Sequence, residues 1–310
     1  MAQNENWPRI AVVGAGAVGG YFGGMLSRAG APVTMIGRAV FVEAVKKNGL
    51  FLDTLHAKEK VHVEAATEIA AARGAEIVLF CVKTIDTVET ARALAPVVAP
   101  GAIVASLQNG VDNAEQIRAA SGIAAISSVV YVAASVPEPG IVKHVGRGDL
   151  VVGPRDGQTE KFAALFERAG VGCRITDNIA GELWTKLTWN CALNALSALG
   201  HARYGQIAAN ADARKVVETT VYEVLAVARA ADVHPPGFED PQAALAGAFK
   251  IAAQMAEALS STAQDMRRGR RTEIDSLNGY ISRRGEELRV PTPVNHALYS
   301  LVRLAEEREL

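Results

Sequence analysis

Three polar side chains recur at steps of four residues in a run that is otherwise uncharged. Within residues 183–199 (LWTKLTWNCALNALSAL), Lys186 carries the only charge, and Asn190 and Asn194 follow it. Residues four apart lie on one face of a helix, so an amine and two amides are expected to project together. Apolar surroundings disfavour a charged lysine and lower its pKa toward the range in which it exchanges protons. The pattern indicates a catalytic acid; the alternative is a lysine that extends from a buried helix to solvent, with two loop-capping amides.

A second unusual stretch lies at residues 260–275 (SSTAQDMRRGRRTEID). Its four arginines, without interleaved aromatic residues and in a near-neutral chain, indicate a solvated loop rather than a nucleic-acid patch. Residues 272–275 resemble a helix start, where the dipole favours acids such as Glu273 and Asp275 in the first turn. A purely structural role is therefore an open alternative for both acids.

A glycine pattern near the N-terminus indicates a dinucleotide site. An apolar run at 10–13 leads into Gly14, Gly16 and Gly19, which satisfy G-x-G-x-x-G between a predicted strand and a predicted helix. The first glycine allows the turn, the second lets a pyrophosphate approach the backbone, and the third allows close packing of helix on strand. The phosphates are expected on the free amides of the helix N-terminus. Glycine turns also occur for structural reasons, but here the context on both sides fits.

The second predicted strand, at 33–36, ends in Ile36-Gly37-Arg38. An NAD site usually has an acid there for the ribose 2′-hydroxyl, and none is present. The Arg38 guanidinium instead suits a 2′-phosphate, which favours NADPH. The alternative is an arginine that simply faces solvent.

Two further predicted strands, at 76–82 and 102–106, are followed by polar residues. Lys83 follows the first, and Asn109 lies in the turn after the second. Because ligands bind at the carboxyl ends of strands in a doubly wound sheet, both residues are candidates for contacts with cofactor or substrate. The alternatives are an exposed lysine at a helix start and an Asn-Gly turn selected for its backbone.

The remaining pattern predicts an α/β fold: a Rossmann-like doubly wound sheet in residues 1–177, followed by an all-α domain in residues 178–310. The boundary is placed where strand patterning stops. Segments at 124–132, 141–145 and 150–152 indicate an antiparallel extension of the sheet, followed by a helix near 159–169 and a last strand near 172–175. Later helices are expected near 180–199, 211–232, 241–259, 274–288 and 292–308.

Composition excludes several classes of protein. Of 310 residues, 49% are apolar and 21% charged, as in soluble globular enzymes. A net charge of −1 gives no field that would recruit nucleic acid or an anionic membrane. No signal peptide and no membrane-spanning run is recognised, so a cytoplasmic location is expected. The histidines and cysteines lack zinc-ligand spacing, so no metal is expected, and Cys81, Cys173 and Cys191 are predicted to be buried thiols.

Five motifs together resemble the ketopantoate reductase family. They are GAGAVGG near the N-terminus, CVKT around Lys83, LQNGVDN around Asn109, ELWTKLTWNCALNAL around Lys186, and SSTAQDMRRGRRTEIDSLNGY from Ser260. The likeness spans nearly the whole chain, and the last two motifs are more specific than the glycine pattern. It implies an enzyme that reduces 2-dehydropantoate (ketopantoate) to pantoate with NADPH, in pantothenate and coenzyme A biosynthesis.

The resemblance also implies roles for individual residues. In that family the lysine matching Lys186 is the general acid, and the residues matching Asn190, Asn194, Ser261 and Glu273 hold and orient the substrate. The expected catalytic residues are thus Lys186 and Glu273, and the expected substrate-binding residues are Asn109, Asn190, Asn194 and Ser261.

On the cofactor side, the residues matching Lys83 and Asn109 line the cleft between cofactor and substrate, and the one matching Arg38 is associated with NADPH preference. The expected NADPH-binding residues are Gly14, Gly16, Ala17, Val18, Gly19, Arg38, Lys83, Asn109 and Glu273.

One departure from the family pattern concerns the substrate. Many members have Asn-Pro where this chain has Asn194-Ala195, and the HARYGQI segment that follows also differs. A related NADPH-dependent reductase of another 2-oxo or β-hydroxy acid is therefore an alternative. A non-catalytic NADPH sensor is a further one, although it would have no reason to carry Lys186 together with Glu273. The small-molecule partner is expected to be a 2-oxo acid, and a homodimer is left open.

Overall fold

The computed structural model describes residues 7–309 and divides into two compact units, the first ending at Ile179 and the second beginning at Ala180. The sequence-based boundary was placed at residue 177. Each unit has its own hydrophobic core, formed on both faces of a sheet in the first unit and between helices in the second.

The first unit is built on one mixed sheet flanked by helices. Its helices are α1 Ala17–Arg28, α2 Ala39–Asn48, α3 Thr87–Leu94, α4 Asn113–Ser121 and α5 Gly157–Arg168, with 3₁₀ turns at Ile69–Ala72 and Thr84–Asp86. Its strands are β1 Ile10–Val13, β2 Val33–Ile36, β3 Leu50–Asp53, β4 Lys58–Val61, β5 Glu64–Ala66, β6 Ile77–Phe80, β7 Ile103–Ser106, β8 Ala125–Ser135, β9 Ile141–Gly153 and β10 Cys173–Ile175.

Six of these strands form a parallel sheet in the order β5-β2-β1-β6-β7-β8. Numbered along the chain within this set, the order is 3-2-1-4-5-6, which is the doubly wound dinucleotide-binding topology. The predicted fold class is thereby confirmed. The order reverses between β1 and β6, so the ligand crevice is expected at the carboxyl ends of these two strands.

The far side of the sheet differs from the prediction. The segments expected as separate strands at 141–145 and 150–152 are one strand, β9, which pairs antiparallel with β8 through two register shifts. These irregularities let the pairing continue past Gly146 and Gly148, which the sequence suggested as breaks. The β3-β4 hairpin was not predicted, because β4 (KEKV) is a charged strand without an apolar alternation.

The second unit is helical, as predicted. Two of its helices are only six residues long, too short to give a periodic signal, and were missed. Its helices are α6 Ile179–Leu199, which starts at the last residue of the first unit, α7 Tyr204–Ala209, α8 Ala211–Ala230, α9 Pro241–Gln254, α10 Ser261–Met266, α11 Asn278–Leu288 and α12 Pro293–Glu309, with a 3₁₀ turn at Ile274–Ser276.

Helix α9 ends at Gln254, whereas the sequence pattern extended it to 259. The cause is a pair of hydrogen bonds to the start of α7. The carbonyl of Ala256 accepts from the Gly205 amide at 2.9 Å, and that of Ala258 accepts from the Tyr204 amide at 3.1 Å. These contacts hold residues 256–258 against α7 instead of in a helix.

The three cysteines are free thiols, with Cys173 and Cys191 buried and Cys81 partly buried. Burial raises the pKa of Cys173 to about 12 and also raises the pKa of Cys81 and Cys191. They are therefore protonated and unreactive at neutral pH. Among residues 7–309, no helix is long and apolar enough to cross a membrane.

The glycine turn gives a testable prediction about stability. A Cβ on Gly19 would clash with the backbone oxygen of Gly14 and lie 2.8 Å from Val12 Cγ1. Backbone cannot move aside, so Gly19→Ala should lower the free energy of unfolding by about 1–3 kcal/mol. Denaturant unfolding of the cofactor-free protein measures this.

Gly16→Ala is the matched control. A Cβ on Gly16 would have no atom within 4 Å, and Gly16 has a φ of −84°, which alanine tolerates. Its unfolding free energy should change by no more than about 0.5 kcal/mol. Equal destabilisation by the two variants would contradict the packing role assigned to Gly19.

Candidate functional site

In the first unit, the three motif glycines have separate geometric roles. Gly14 has a φ of +104°, and a Cβ there would lie 2.6 Å from the backbone of Cys81 at the end of β6. Gly19 brings α1 against β1, as described above. Gly16 faces open space, and no described side chain caps the N-terminus of α1. The first amides of α1, around Ala17 and Val18, therefore remain available to an anion.

Arg38 lies where an adenosine ribose is expected in this topology. The residue follows β2 directly after Gly37 and starts α2, with an exposed side chain. A Cβ on Gly37 would lie 2.8 Å from Ala15 Cβ, so the Arg38 loop packs directly on the glycine turn. This contact places the backbone of Arg38 next to the proposed phosphate-binding turn.

Lys83 and Asn109 follow neighbouring strands, β6 and β7, and both are partly buried. The Asn109 carbonyl accepts a hydrogen bond from Asn113 Nδ2 at 2.6 Å, and Gly110 has a φ of +101°. The turn therefore needs glycine at position 110 for its backbone conformation. The Asn109 carbonyl and the Gly110 backbone both constrain the turn.

Gln108 joins the two loops and was not among the predicted site residues. Its amide nitrogen donates to the Val82 carbonyl at 3.0 Å and to Thr87 Oγ1 at 2.7 Å, and its oxygen accepts from Ser106 Oγ at 2.9 Å. Val82 directly precedes Lys83 in the chain. Gln108 therefore fixes the loop of Lys83 relative to that of Asn109. The only feature of the sequence that could have indicated Gln108 is its position between a predicted strand and the Asn-Gly turn.

In the second unit, Lys186, Asn190 and Asn194 form a polar stripe on α6. Two threonines of the same helix bond within it. The hydroxyls of Thr185 and Thr188 donate to carbonyls of α6 itself, at 3.0 and 2.8 Å. They are thereby satisfied locally. The remaining polar groups of the stripe are Lys186 and Asn190, both partly buried, and Asn194, which is 3% exposed.

Ser260 connects α6 to the second polar stretch. Its Oγ donates to the Asn194 carbonyl at 3.1 Å and accepts from the Ala263 amide at 3.0 Å, which caps α10. Ser261 is the next residue, at the first position of α10, and its side chain is exposed. The structure thus brings the predicted residues Asn194 and Ser261 together, through a buried serine that the sequence reading did not select.

Glu273 lies in a turn that is fastened to α12 from both sides. The preceding Thr272 amide donates to Glu306 Oε1 at 2.6 Å. On the other side, Asp275 accepts from the Tyr299 hydroxyl at 2.9 Å and pairs with Arg303 at 3.7 Å. Asp275 therefore has the structural role that was the alternative for this residue. Glu273, partly buried, is held between these two anchors.

A buried polar network in the second unit was not found from the sequence. Asn278 Nδ2 donates to the Cys191 carbonyl on α6 at 3.1 Å and to Asn295 Oδ1 at 3.0 Å. Asn295 Nδ2 donates to Glu223 Oε2 at 2.8 Å, and that carboxylate also accepts the amides of Val294 and Asn295, both at 2.9 Å. The network links α6, α8, α11 and α12. It fixes the α6 backbone one residue after Asn190.

The arrangement suits two kinds of chemistry, one in each unit. The first unit offers helix amides and Arg38 to phosphates, with Lys83 and Asn109 at the strand ends. The second offers an amine, amides, a hydroxyl and a carboxylate, which can donate a proton and hydrogen-bond an anionic substrate. The exposed arginines, Arg267, Arg268, Arg270 and Arg271, lie between Ser261 and the Glu273 turn.

Comparison with protein families gives two matches that together cover most of the chain. Residues 10–157 match the family described as "Ketopantoate reductase PanE/ApbA". Residues 178–306 match "Ketopantoate reductase PanE/ApbA C terminal".

Individual relatives agree with these matches. A 2-dehydropantoate 2-reductase of Pyrococcus horikoshii is 31% identical over 302 residues, covering 96% of this chain and 97% of the relative. The crystal structure of a PanE/ApbA family ketopantoate reductase from Ralstonia eutropha is 45% identical, with a TM-score of 0.92 and coverage of 97% and 99%. A D-mandelate dehydrogenase in complex with NADH and anilino(oxo)acetate is 24% identical, with a TM-score of 0.90 over 97% of this chain and 99% of that one, which shows a shared fold.

Proposed function

Because the chain belongs to the ketopantoate reductase PanE/ApbA family, we propose that it reduces 2-dehydropantoate (ketopantoate) to pantoate with NADPH. The observation that carries this proposal is the stripe on α6. Thr185 and Thr188 donate to carbonyls of the helix itself, and Lys186, Asn190 and Asn194 place an amine and two amides on one face of the helix. Pantoate formed in this way would enter pantothenate and coenzyme A biosynthesis.

The residues of the first unit fit a dinucleotide. Gly16 leaves space where a Cβ would obstruct a phosphate, and the uncapped α1 offers amides to it. Arg38 would bind the 2′-phosphate and so select NADPH, and Lys83 and Asn109 would contact the cofactor near the substrate. When bound, NADPH supplies the hydride that the C2 carbonyl of the substrate receives.

Lys186 is the proposed general acid. Hydride addition to the C2 carbonyl leaves negative charge on its oxygen, and the Lys186 ammonium would give its Nζ proton to that oxygen. The same positive charge would polarise the carbonyl beforehand, which stabilises the developing charge. Glu273 would orient the ammonium and favour its protonated form.

The other polar groups of the second unit would bind the substrate. Ser261 would donate to the carboxylate, and Asn190 and Asn194 to the remaining oxygens. Because Ser260 couples Asn194 to Ser261, these two donors would act as one clamp. Ala195, where many members of the family have proline, keeps another 2-oxo acid as the second candidate substrate. The shared fold of the D-mandelate dehydrogenase agrees that fold alone does not select the substrate.

Replacement of the proposed acid tests the mechanism. Lys186→Ala should lower kcat with ketopantoate by roughly 10²–10⁴, the usual contribution of general acid catalysis. NADPH oxidation followed by absorbance measures this. Lys250→Ala removes an exposed lysine from α9 in the same unit and should leave kcat unchanged. A Lys186→Ala variant with near-normal kcat would sink the assignment.

The preference for NADPH depends on Arg38 in this proposal. A charge-assisted hydrogen bond is worth about 1.5–3 kcal/mol, so Arg38→Ala should raise the KM for NADPH by roughly tenfold or more. The KM for NADH, which lacks the 2′-phosphate, should change little. Arg92→Ala, at an exposed position of α3, is the control. Equal effects of Arg38→Ala on both cofactors would remove phosphate recognition from its role.

A further inference from the structure

Tyr204 makes a buried contact with the proposed substrate clamp. It is the first residue of α7 and 8% exposed, and its hydroxyl donates to Asn194 Oδ1 at 3.0 Å. Tyr204 lies in the HARYGQI segment, which departs from the family pattern. Its role in the reaction is not assigned by the motifs that identify the family.

The position of Tyr204 is fixed by the segment that carries Ser261. Its amide donates to the Ala258 carbonyl at 3.1 Å. Two residues further on, the Ser260 amide donates to Ser197 Oγ at 3.1 Å, and Ser260 Oγ donates to the Asn194 carbonyl. Tyr204, Asn194 and the start of α10 therefore form one rigid group within the second unit.

The contact with Tyr204 uses the amide oxygen of Asn194 and leaves its amide nitrogen. Its carboxamide oxygen is taken by Tyr204, and among residues 7–309 no group hydrogen-bonds its nitrogen. Asn194 is only 3% exposed. The two hydrogens of this nitrogen are therefore suited to a ligand with acceptor oxygens.

We propose that Tyr204 is a positioning residue that holds the Asn194 carboxamide with its NH₂ group toward the 2-oxo acid. This inference rests on the proposed function. A 2-oxo acid presents carboxylate and carbonyl oxygens, all of which are acceptors, so an amide turned the other way would face them with its own oxygen. Tyr204 acts through Asn194 and has no part in proton transfer.

Burial supports a permanent donor role for the Tyr204 hydroxyl. Desolvation raises the pKa of this group well above its ordinary value. The hydroxyl therefore stays protonated across the working pH range, and the orientation of Asn194 does not change with pH.

Tyr204→Phe tests the inference with little change in packing. The KM for ketopantoate should rise by roughly tenfold, because a substrate hydrogen bond loses its preset geometry. kcat should change by less than about threefold, since Lys186 is untouched, and the KM for NADPH should not change. An unchanged KM for ketopantoate would overturn the inference.

Tyr222→Phe is the matched control in the same unit. The Tyr222 hydroxyl donates to Glu218 at 3.0 Å and accepts from Gln242 at 2.6 Å, so its removal costs hydrogen bonds without touching Asn194. It should leave both KM values unchanged, and it should lower the melting temperature less than Tyr204→Phe because its hydrogen bonds are more exposed. A similar rise of the ketopantoate KM in both variants would show a general structural effect and overturn the inference.

Asn194→Asp tests the direction of the amide. It replaces the proposed donor by an acceptor of the same shape, so the KM for ketopantoate should rise more than in Tyr204→Phe. Retained affinity would show that Asn194 faces the substrate with its oxygen, which contradicts the inference.

If the wild-type protein fails to turn over ketopantoate, the proposed function falls and the inference with it. Wild-type turnover with an unaffected Tyr204→Phe variant overturns the inference alone.

Discussion

The second unit depends on hydrogen bonds that fix α6 from outside. Two of its carbonyls accept side-chain donors from outside the helix, that of Cys191 from Asn278 and that of Asn194 from Ser260. Each such bond contributes only about 0.5–1.5 kcal/mol net, but leaving one of these buried donors unsatisfied would cost more. The main effect of these bonds is therefore to fix the rotation of α6 about its own axis. That rotation determines where Lys186 and Asn190 point.

The same contacts bring distant parts of the unit into one arrangement. Asn278 donates to Asn295, Asn295 donates to the carboxylate of Glu223, and that carboxylate accepts three N–H groups in all. The Glu273 turn is held against α12 by Glu306, Tyr299 and Arg303. Helix α12 thus supports both α6 and Glu273. In the first unit, steric limits have the equivalent role, since only glycine fits between the turn and the ends of β1 and β6.

What the sequence could predict was local. The glycine pattern and the spacing of Lys186, Asn190 and Asn194 follow from strand, turn and helix periodicities, and the doubly wound fold class follows from the alternation of strands with helices. Gln108, Asn278, Glu223 and Tyr204 could not be selected, because their roles depend on hydrogen bonds to residues outside their own helix or loop. Asn278 and Cys191 are 87 positions apart, and Asn295 and Glu223 are 72 apart. Ser260 and Ser261 are adjacent and chemically identical, and burial alone separates the cap from the exposed candidate ligand.

The proposed preference of this reductase for ketopantoate is tested most directly with a panel of substrates. Steady-state kcat/KM is measured for the wild-type protein with NADPH and a series of 2-oxo acids that differ in the substituent at C3. Ketopantoate is expected to have the highest kcat/KM of the series. A higher value for another 2-oxo acid, or no turnover of ketopantoate, would contradict it.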